Sequence, residues 1–189
     1  TSLAAPKVTG LLAILAQIYK DKNSGNEPQS TLLRAILMNT ADDILNPGPD
    51  FRTGYGRPNV RRAYNVINQN QFINSSINNG ATNQHTITVP SNVKQVRIMI
   101  VWADPAAVIN ANPAIVNDLD LSISNPSNQT YYPWVLNSSP FIEAISANAI
   151  RGIDHLNTIE QVTVDNPEAG IWNINVSGYN IPSGPQSYF

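Results

Sequence analysis

The sequence contains no cysteine, and this absence excludes several kinds of site at once. Disulfide scaffolds, cysteine-ligated zinc, iron–sulfur clusters and thiol nucleophiles all need that residue. Only two of the 189 residues are histidine, so a multi-histidine metal centre is not expected. Charged residues make up 13% of the chain, about half the usual ~25%. The net charge of −2 offers no broad basic surface for nucleic acid. No apolar run reaches the ~18 residues of a membrane span, so neither nucleic acid nor membrane is an expected partner.

The residues that are present divide the chain into two parts. Residues 1–69 carry a net charge of +3 and residues 70–189 a net charge of −5. All three tryptophans and most of the β-branched alternation lie in the second part. A polar stretch over residues 68–83 separates the parts. We therefore expect two domains, 1–69 and 70–189.

The first part has the apolar spacing of helices. Its first helix carries large apolar side chains at i, i+3, i+4 and i+7 positions and alanines over much of its other side. Because it is apolar almost all round, we expect it to be buried centrally in something larger, with further sequence upstream. Two more helices are expected over residues 29–40 and 58–67.

The second part has the pattern of short strands separated by turns. We expect strands over these residues: 85–89, 95–102, 119–124, 159–164 and 171–176. Short strands separated by turns favour an antiparallel β-sandwich or jelly roll. The connection over residues 103–117 would then cross from one sheet to the other. The expected fold class is therefore α+β.

The first candidate for a catalytic site is the N-terminal segment Thr1–Pro6. Ser2 would stand at the start of the first helix, where free N–H groups and the positive end of the helix dipole favour developing negative charge. Its own N–H could donate to an oxyanion. A nucleophilic Ser2 and a Ser2 that merely caps the helix both fit this position. A nucleophilic Thr1 activated by its free amine is a further alternative, which the immediate helix opposes.

The same segment, with Gly10, resembles the nucleophile segment of the subtilisin-like serine peptidases. Lys7 stands where that family often has histidine. The resemblance continues through residues 32–42 and 47–57. In the second part, residues 101–105, 116–121 and 179–186 resemble the C-terminal jelly-roll domain of some of these peptidases. The resemblance implies that this chain contains the C-terminal part of an α/β catalytic domain, followed by that jelly-roll domain.

The resemblance implies that Ser2 is the nucleophile of an Asp–His–Ser triad. The family order places the aspartate and histidine before residue 1, so the partner would be the N-terminal part of the same protease. His85 and His155 are not expected to replace the missing base. A serine without its base is a weak nucleophile, so this chain should be inactive alone. A protein or peptide substrate and a secreted location are also implied.

A cation site is the second candidate. Asp118 and Asp120 are two residues apart on a predicted strand and should face the same side. With Asp104 and a later group of Asp154, Asn157 and Glu160 they supply the oxygen ligands that calcium prefers. Calcium binding is also implied by related jelly-roll domains. The alternative is that Asp118 and Asp120 lie on a solvated strand face.

The whole chain also has an alternative to a role as a peptidase section. It would then be a β-sandwich module that binds glycan or protein, with residues 131–134 as an aromatic platform.

Overall fold

A computed structural model describes residues 2–189 as an α+β chain in which helices precede antiparallel sheets. The helices are α1 (Ala4–Lys22), α2 (Ser30–Asn39), α3 (Val60–Asn68) and α4 (Ile142–Ser146). The strands are β1 (Ser75–Ile77), β2 (Thr82–Val89), β3 (Gln95–Val101), β4 (Asp118–Ser124), β5 (Thr130–Tyr131), β6 (Trp134–Val135), β7 (Ile150–Arg151), β8 (Ile159–Asp165), β9 (Gly170–Asn180) and β10 (Gln186–Tyr188). Among the described residues, no helix combines the length and the hydrophobicity that a bilayer span requires.

The first three helices pack on one another around a small core. Its buried residues are Leu15, Leu32, Ile36, Leu37, Ala63 and Ile67. Asn59 is the N-cap of helix α3. Its side chain accepts a hydrogen bond from the Arg62 amide at 3.0 Å, which satisfies a free N–H group of the first turn. Only Leu15 of α1 is fully buried, so most of α1 lies at the surface of the helical region.

The strands pair antiparallel in two principal groups. One sheet has the order β2-β9-β4-β5, and β3 pairs with β8. The short strands form the pairs β1-β10 and β6-β7. The end of β3 also meets β10, since Val101 and Phe189 exchange backbone hydrogen bonds of 2.9 and 3.1 Å. The connection over residues 103–117 therefore joins strands of different sheets.

Side chains from both principal groups of strands enter one apolar core. In β9 the burial alternates, so Trp172, Ile174 and Val176 point into this core while their neighbours do not. Val162 of β8 and Trp102 after β3 enter the same core. The large aromatic rings at its centre are fully buried.

The opposite face of the β3–β8 pair packs against the helical region. Ala35 of α2 contacts Met99 and Val101 of β3 in a separate apolar cluster. Polar contacts border it: Gln161 donates to Asn39 at 3.0 Å, and Asn39 donates to the Arg97 carbonyl oxygen at 3.2 Å. The helical and strand regions thus share a mixed apolar and polar interface.

Trp134 forms a second connection between the two regions. Its indole N–H donates to the Thr163 hydroxyl at 2.9 Å, and the Arg151 guanidinium carbon lies 3.4 Å from the ring centroid. The ring also lies so close to Gly48, in the loop after α2, that a Cβ there would come within 2.7 Å. Trp134 is therefore a packed contact and not the open aromatic platform considered from the sequence.

The predicted elements differ from the observed ones mainly where pairing partners are distant. The three helices and five long strands occur at the predicted places, with ends shifted by up to four residues. The short pairs β1-β10 and β6-β7 have no local pattern, because long-range pairing alone defines them. One side of the first helix remains uncovered in this chain, since Leu3 at its start is 78% and Ile14 51% exposed. Its burial in something larger stays a prediction.

We predict that Gly48→Ala destabilises the chain more than Gly25→Ala does. Both glycines have a left-handed φ, +80° and +88°, but a Cβ at Gly25 meets nothing within 4 Å. Each variant should lose about 1–2 kcal/mol from backbone strain, and Gly48→Ala should lose a further ~1–3 kcal/mol from overpacking on Trp134. Urea unfolding followed by tryptophan fluorescence measures both. Equal losses would contradict a close contact between Gly48 and Trp134.

Candidate functional site

Ser2 lies immediately before α1 and is exposed. The N-cap position belongs to Leu3, and no side chain among residues 2–189 caps this helix end. The Ser2 hydroxyl is therefore not used as a helix cap, and it stands next to the uncompensated N–H groups of the first turn. An exposed hydroxyl beside a helix N-terminus is a place where an alkoxide or oxyanion is favoured. Thr1, the alternative nucleophile, lies outside the described residues.

The two histidines are both engaged by groups of the strand region. His85 of β2 lies with its Nε2 2.9 Å from the Tyr188 hydroxyl. His155, in the loop before β8, lies with its Nδ1 2.7 Å from Oδ2 of Asp118. The contacts of both imidazoles thus lie within the strand region.

An acidic cluster lies where the start of β4 approaches β8. Asp118 is 5% exposed, and its carboxylate, that of Asp120 and the His155 imidazole bring three ligand atoms within 4.8 Å of one another. Glu160 of β8 is 1% exposed, and its Oε2 accepts a hydrogen bond from the Leu121 amide at 2.6 Å. That amide belongs to a stretch of β4 that β5 does not cover.

Four buried side-chain atoms of the described residues lack a hydrogen-bond partner, and all four belong to this cluster. They are Asp118 Oδ1, Asp120 Oδ1, His155 Nδ1 and Glu160 Oε1. His155 Nδ1 lies 2.7 Å from Asp118 Oδ2, a contact that leaves the three carboxylate oxygens without a donor. Since buried polar atoms are almost always paired, unpaired atoms gathered at one point make this cluster a candidate binding site.

Of the four aspartates expected to hold calcium, Asp118 and Asp120 belong to the three-ligand group. The Asp104 carboxylate accepts hydrogen bonds from the Val116 and Asn117 amides, both at 2.7 Å. Asp154 accepts from the Leu156 amide at 2.9 Å and from the Asn157 side chain at 2.7 Å. The charge of Asp154 also raises the pKa of Asp118 and of Glu160.

His155 belongs to this cluster although the sequence did not predict it there, whereas Glu160 was among the expected oxygen ligands. Glu160 has a signal in the sequence: it shares strand parity with Val162 and Val164, so it occupies an inward position in an otherwise apolar pattern. His155 lies in a loop and has no comparable signal. Its approach to Asp118 depends on how the loop before β8 folds against β4.

Burial shifts the proton equilibria of the cluster. Desolvation raises the pKa of Glu160 to about 9, and the charges of Asp120 and Asp154 add to the shift. Burial also raises the pKa of Asp118 to about 6, against the lowering effect of His155. The cluster therefore holds more negative charge than its surroundings compensate.

Tyr55 connects the cluster to the loop after α2. Burial, together with the nearby charges of Asp154 and Glu160, raises the pKa of its hydroxyl to about 12. Its ring also packs in the apolar cluster between α2 and β3. The acidic cluster thus lies beside the interface between the helical and strand regions.

Asp42, in the loop after α2, has two arginines and an asparagine as partners. Its carboxylate lies 3.2 Å from the Arg62 and 3.4 Å from the Arg57 guanidinium, and it accepts a hydrogen bond from Asn59 at 3.0 Å. These contacts lower its pKa, with the Asn59 hydrogen bond as the largest cause. Asp42 and its partners thus join the loop after α2 to α3.

We predict that the free energy of unfolding falls as the pH rises from 5 to 9 in the presence of EDTA. Because the folded-state pKa of Glu160 is about 9 and its unfolded value about 4.3, the folded state holds the proton more tightly. Its contribution to stability is complete below the unfolded pKa and disappears as the pH approaches the folded pKa. Asp118 acts in the same direction over a narrower range.

Glu160→Gln should reduce this fall by more than about 1.4 kcal/mol, the equivalent of one pKa unit, since the amide keeps an acceptor for Leu121 and cannot ionise. Urea unfolding at each pH measures the effect. Glu168→Gln, the same change at an exposed position, should leave the fall unchanged. Equal pH slopes for Glu160→Gln and the unaltered chain would show that Glu160 titrates normally.

Comparison with known proteins gives three similarities. Residues 1–56 match the model of the Subtilase family, which confirms the resemblance for this segment. A curated relative, "Serine protease/ABC transporter B family protein tagA" of Dictyostelium discoideum, is 26% identical over 208 residues; the alignment covers all of this chain and 12% of the relative. The chain thus spans about an eighth of that relative's length. The crystal structure of a serine protease of Aeromonas sobria aligns with 97% of this chain and 42% of its own, at 11% identity and a TM-score of 0.28, which does not establish a common fold. Over its first 56 residues the chain is therefore similar to the Subtilase family.

Proposed function

We propose that this chain is a section of a subtilisin-like serine endopeptidase in which Ser2 is the nucleophile. The observation that carries the proposal is the position of Ser2: it is exposed, it precedes α1, and it is not used as a cap. It also lies within the segment that matches the Subtilase family. The curated relative with the same likeness is described as a serine protease.

The proposed reaction is acyl transfer to Ser2. The Ser2 oxygen attacks the carbonyl carbon of a peptide bond while a histidine outside this chain takes the hydroxyl proton and later gives it to the leaving amine. The Ser2 amide and the start of α1 lie where they can stabilise the oxyanion. Pro6 has no amide hydrogen, so it cannot bond back to the Ser2 carbonyl and tighten the first turn.

The partner that supplies the histidine and the aspartate is the N-terminal part of the same protease. This assignment is supported by the surface of α1, where Leu3 and Ile14 are exposed beside small residues. Gly10 lies on this side with nothing within 4 Å of a Cβ position. A glycine inside an exposed helix costs about 0.5–1 kcal/mol relative to alanine, and a close approach by a docked domain accounts for its presence.

The strand region is proposed to be a jelly-roll-type β-sandwich beside the catalytic part. The shared core of its two principal strand groups and the interface of β3 with α2 support this arrangement. Its role would be to stabilise the segment that carries Ser2. A secreted location is part of the same proposal.

We expect peptidase activity only when this chain is combined with the N-terminal part of its protease. Ser2→Ala should then lower kcat by at least about 10⁴-fold, because it removes the nucleophile. Ser30→Ala, the same change at an exposed helix start in α2, should leave kcat unchanged. A fluorogenic peptide measures turnover, and a fluorophosphonate probe measures labelling of Ser2. Undiminished activity in the Ser2→Ala complex would refute the assignment.

Ile14→Lys should weaken association with the N-terminal part by at least about tenfold. A charge placed in a desolvated apolar contact is unfavourable, whereas Ile14 is 51% exposed in this chain and its replacement should change the stability of the chain by only about 0.5 kcal/mol. Ile171→Lys, at a 62% exposed isoleucine of β9, is the matched control. Native mass spectrometry and a titration by fluorescence anisotropy measure binding. If both variants associate as the unaltered chain does, this face of α1 is not the docking surface.

A further inference from the structure

The geometry points to a site for a divalent transition-metal ion on Asp118, Asp120 and His155, independent of the peptidase role. The three ligand atoms lie within 4.8 Å of one another. Zinc binds carboxylate oxygen at about 2.0–2.2 Å and imidazole nitrogen at about 2.0–2.1 Å. In the tetrahedral arrangement that zinc prefers, such ligand atoms are about 3.3–3.5 Å apart. His155 Nδ1 lies 2.7 Å from Asp118 Oδ2 and 3.7 Å from Asp120 Oδ1, so these separations bracket that spacing.

The unpaired atoms give independent support for a ligand at this point. Glu160 is 1% exposed, and its unpaired Oε1 belongs to a carboxyl that lies within the field of Asp118, Asp120 and Asp154. A proton on His155 Nδ1, 2.7 Å from Asp118 Oδ2, still leaves Asp118 Oδ1, Asp120 Oδ1 and Glu160 Oε1 without a donor. A divalent ion can accept lone pairs from both aspartates and the imidazole together.

The donor set decides which class of ion fits. Calcium takes 6–8 oxygen ligands at 2.3–2.6 Å, but Asp104 and Asp154 already accept hydrogen bonds from backbone and side-chain N–H groups. The third ligand at the cluster is a nitrogen. Imidazole with carboxylate oxygen suits zinc and similar first-row ions better than it suits calcium. The donor set of this cluster therefore favours such an ion over calcium.

The surroundings of His155 prepare it for this role. Its ring stacks on Tyr179 with centroids 4.2 Å apart and an interplanar angle of 23°, which holds the plane of the imidazole. The His155 side chain is 41% exposed and the Asp120 side chain 21%, so an ion can reach the ligands from solvent. Because β4 and the loop before β8 both supply ligands, a bound ion would join these two segments.

The test is calorimetric titration of Zn²⁺ into the metal-stripped chain at pH 7, with Ca²⁺ titrated separately. We expect one Zn²⁺ per chain and at least about tenfold weaker binding of Ca²⁺. His155→Gln and Asp120→Asn should each weaken Zn²⁺ binding by about tenfold or more, since even outer-shell changes cost 10–100-fold. His85→Gln and Asp165→Asn are the matched controls, because His85 faces Tyr188 and Asp165 is exposed at the end of β8.

A second measurement needs no variant, so a folding failure cannot obscure the answer. In the nitrogen-15 spectrum of the histidine rings, Zn²⁺ should shift Nδ1 of His155 and leave His85 unchanged. The proposal is wrong if Ca²⁺ binds as tightly as Zn²⁺, or if Zn²⁺ leaves the His155 ring unshifted. It is equally wrong if the chain binds no ion, or if both cluster variants bind Zn²⁺ as the unaltered chain does.

Discussion

Both faces of the β3–β8 pair are buried, and the positions of the other elements follow from this constraint. On one face Ile100 and Val162 enter the core that β2, β4 and β9 complete. On the other face Met99 and Val101 contact α2. Because a strand pair with two apolar faces must be covered on both sides, the helical region and the second sheet are held on opposite sides of the same two strands. The link between the Ser2-bearing segment and the strand region therefore runs through β3.

Helix α1, which follows Ser2, is covered on one side only. It contacts α2 and α3 on one side, while apolar and small side chains remain exposed on the other. A helix that is apolar on most sides gains its stability from being surrounded. The proposal that α1 docks on the rest of a protease accounts for this surface and for the exposed Ser2 together.

The acidic cluster also affects the interface between the helical region and the strand region. Glu160 satisfies the Leu121 amide on an uncovered stretch of β4, yet its other oxygen is unpaired at 1% exposure. Uncompensated buried charge is costly, and the raised pKa values of Glu160 and Asp118 express that cost. A proton on Glu160 reduces the negative charge of the cluster, and the proposed metal ion would compensate more of that charge. Since Tyr55 lies near these carboxyls, the charge state of the cluster also bears on the interface with the loop after α2.

The sequence by itself determined the helices, the five long strands and the candidate nucleophile. These features depend on local periodicity and on a short motif, as in the alternation of β9 around Trp172. Only the tertiary structure decided the pairs β1-β10 and β6-β7, the contact of Trp134 with Gly48, and the grouping of His155 and Glu160 with Asp118 and Asp120. The physical reason is distance along the chain. Residues far apart in sequence meet only after the sheets have packed, and no local pattern records which of them will meet.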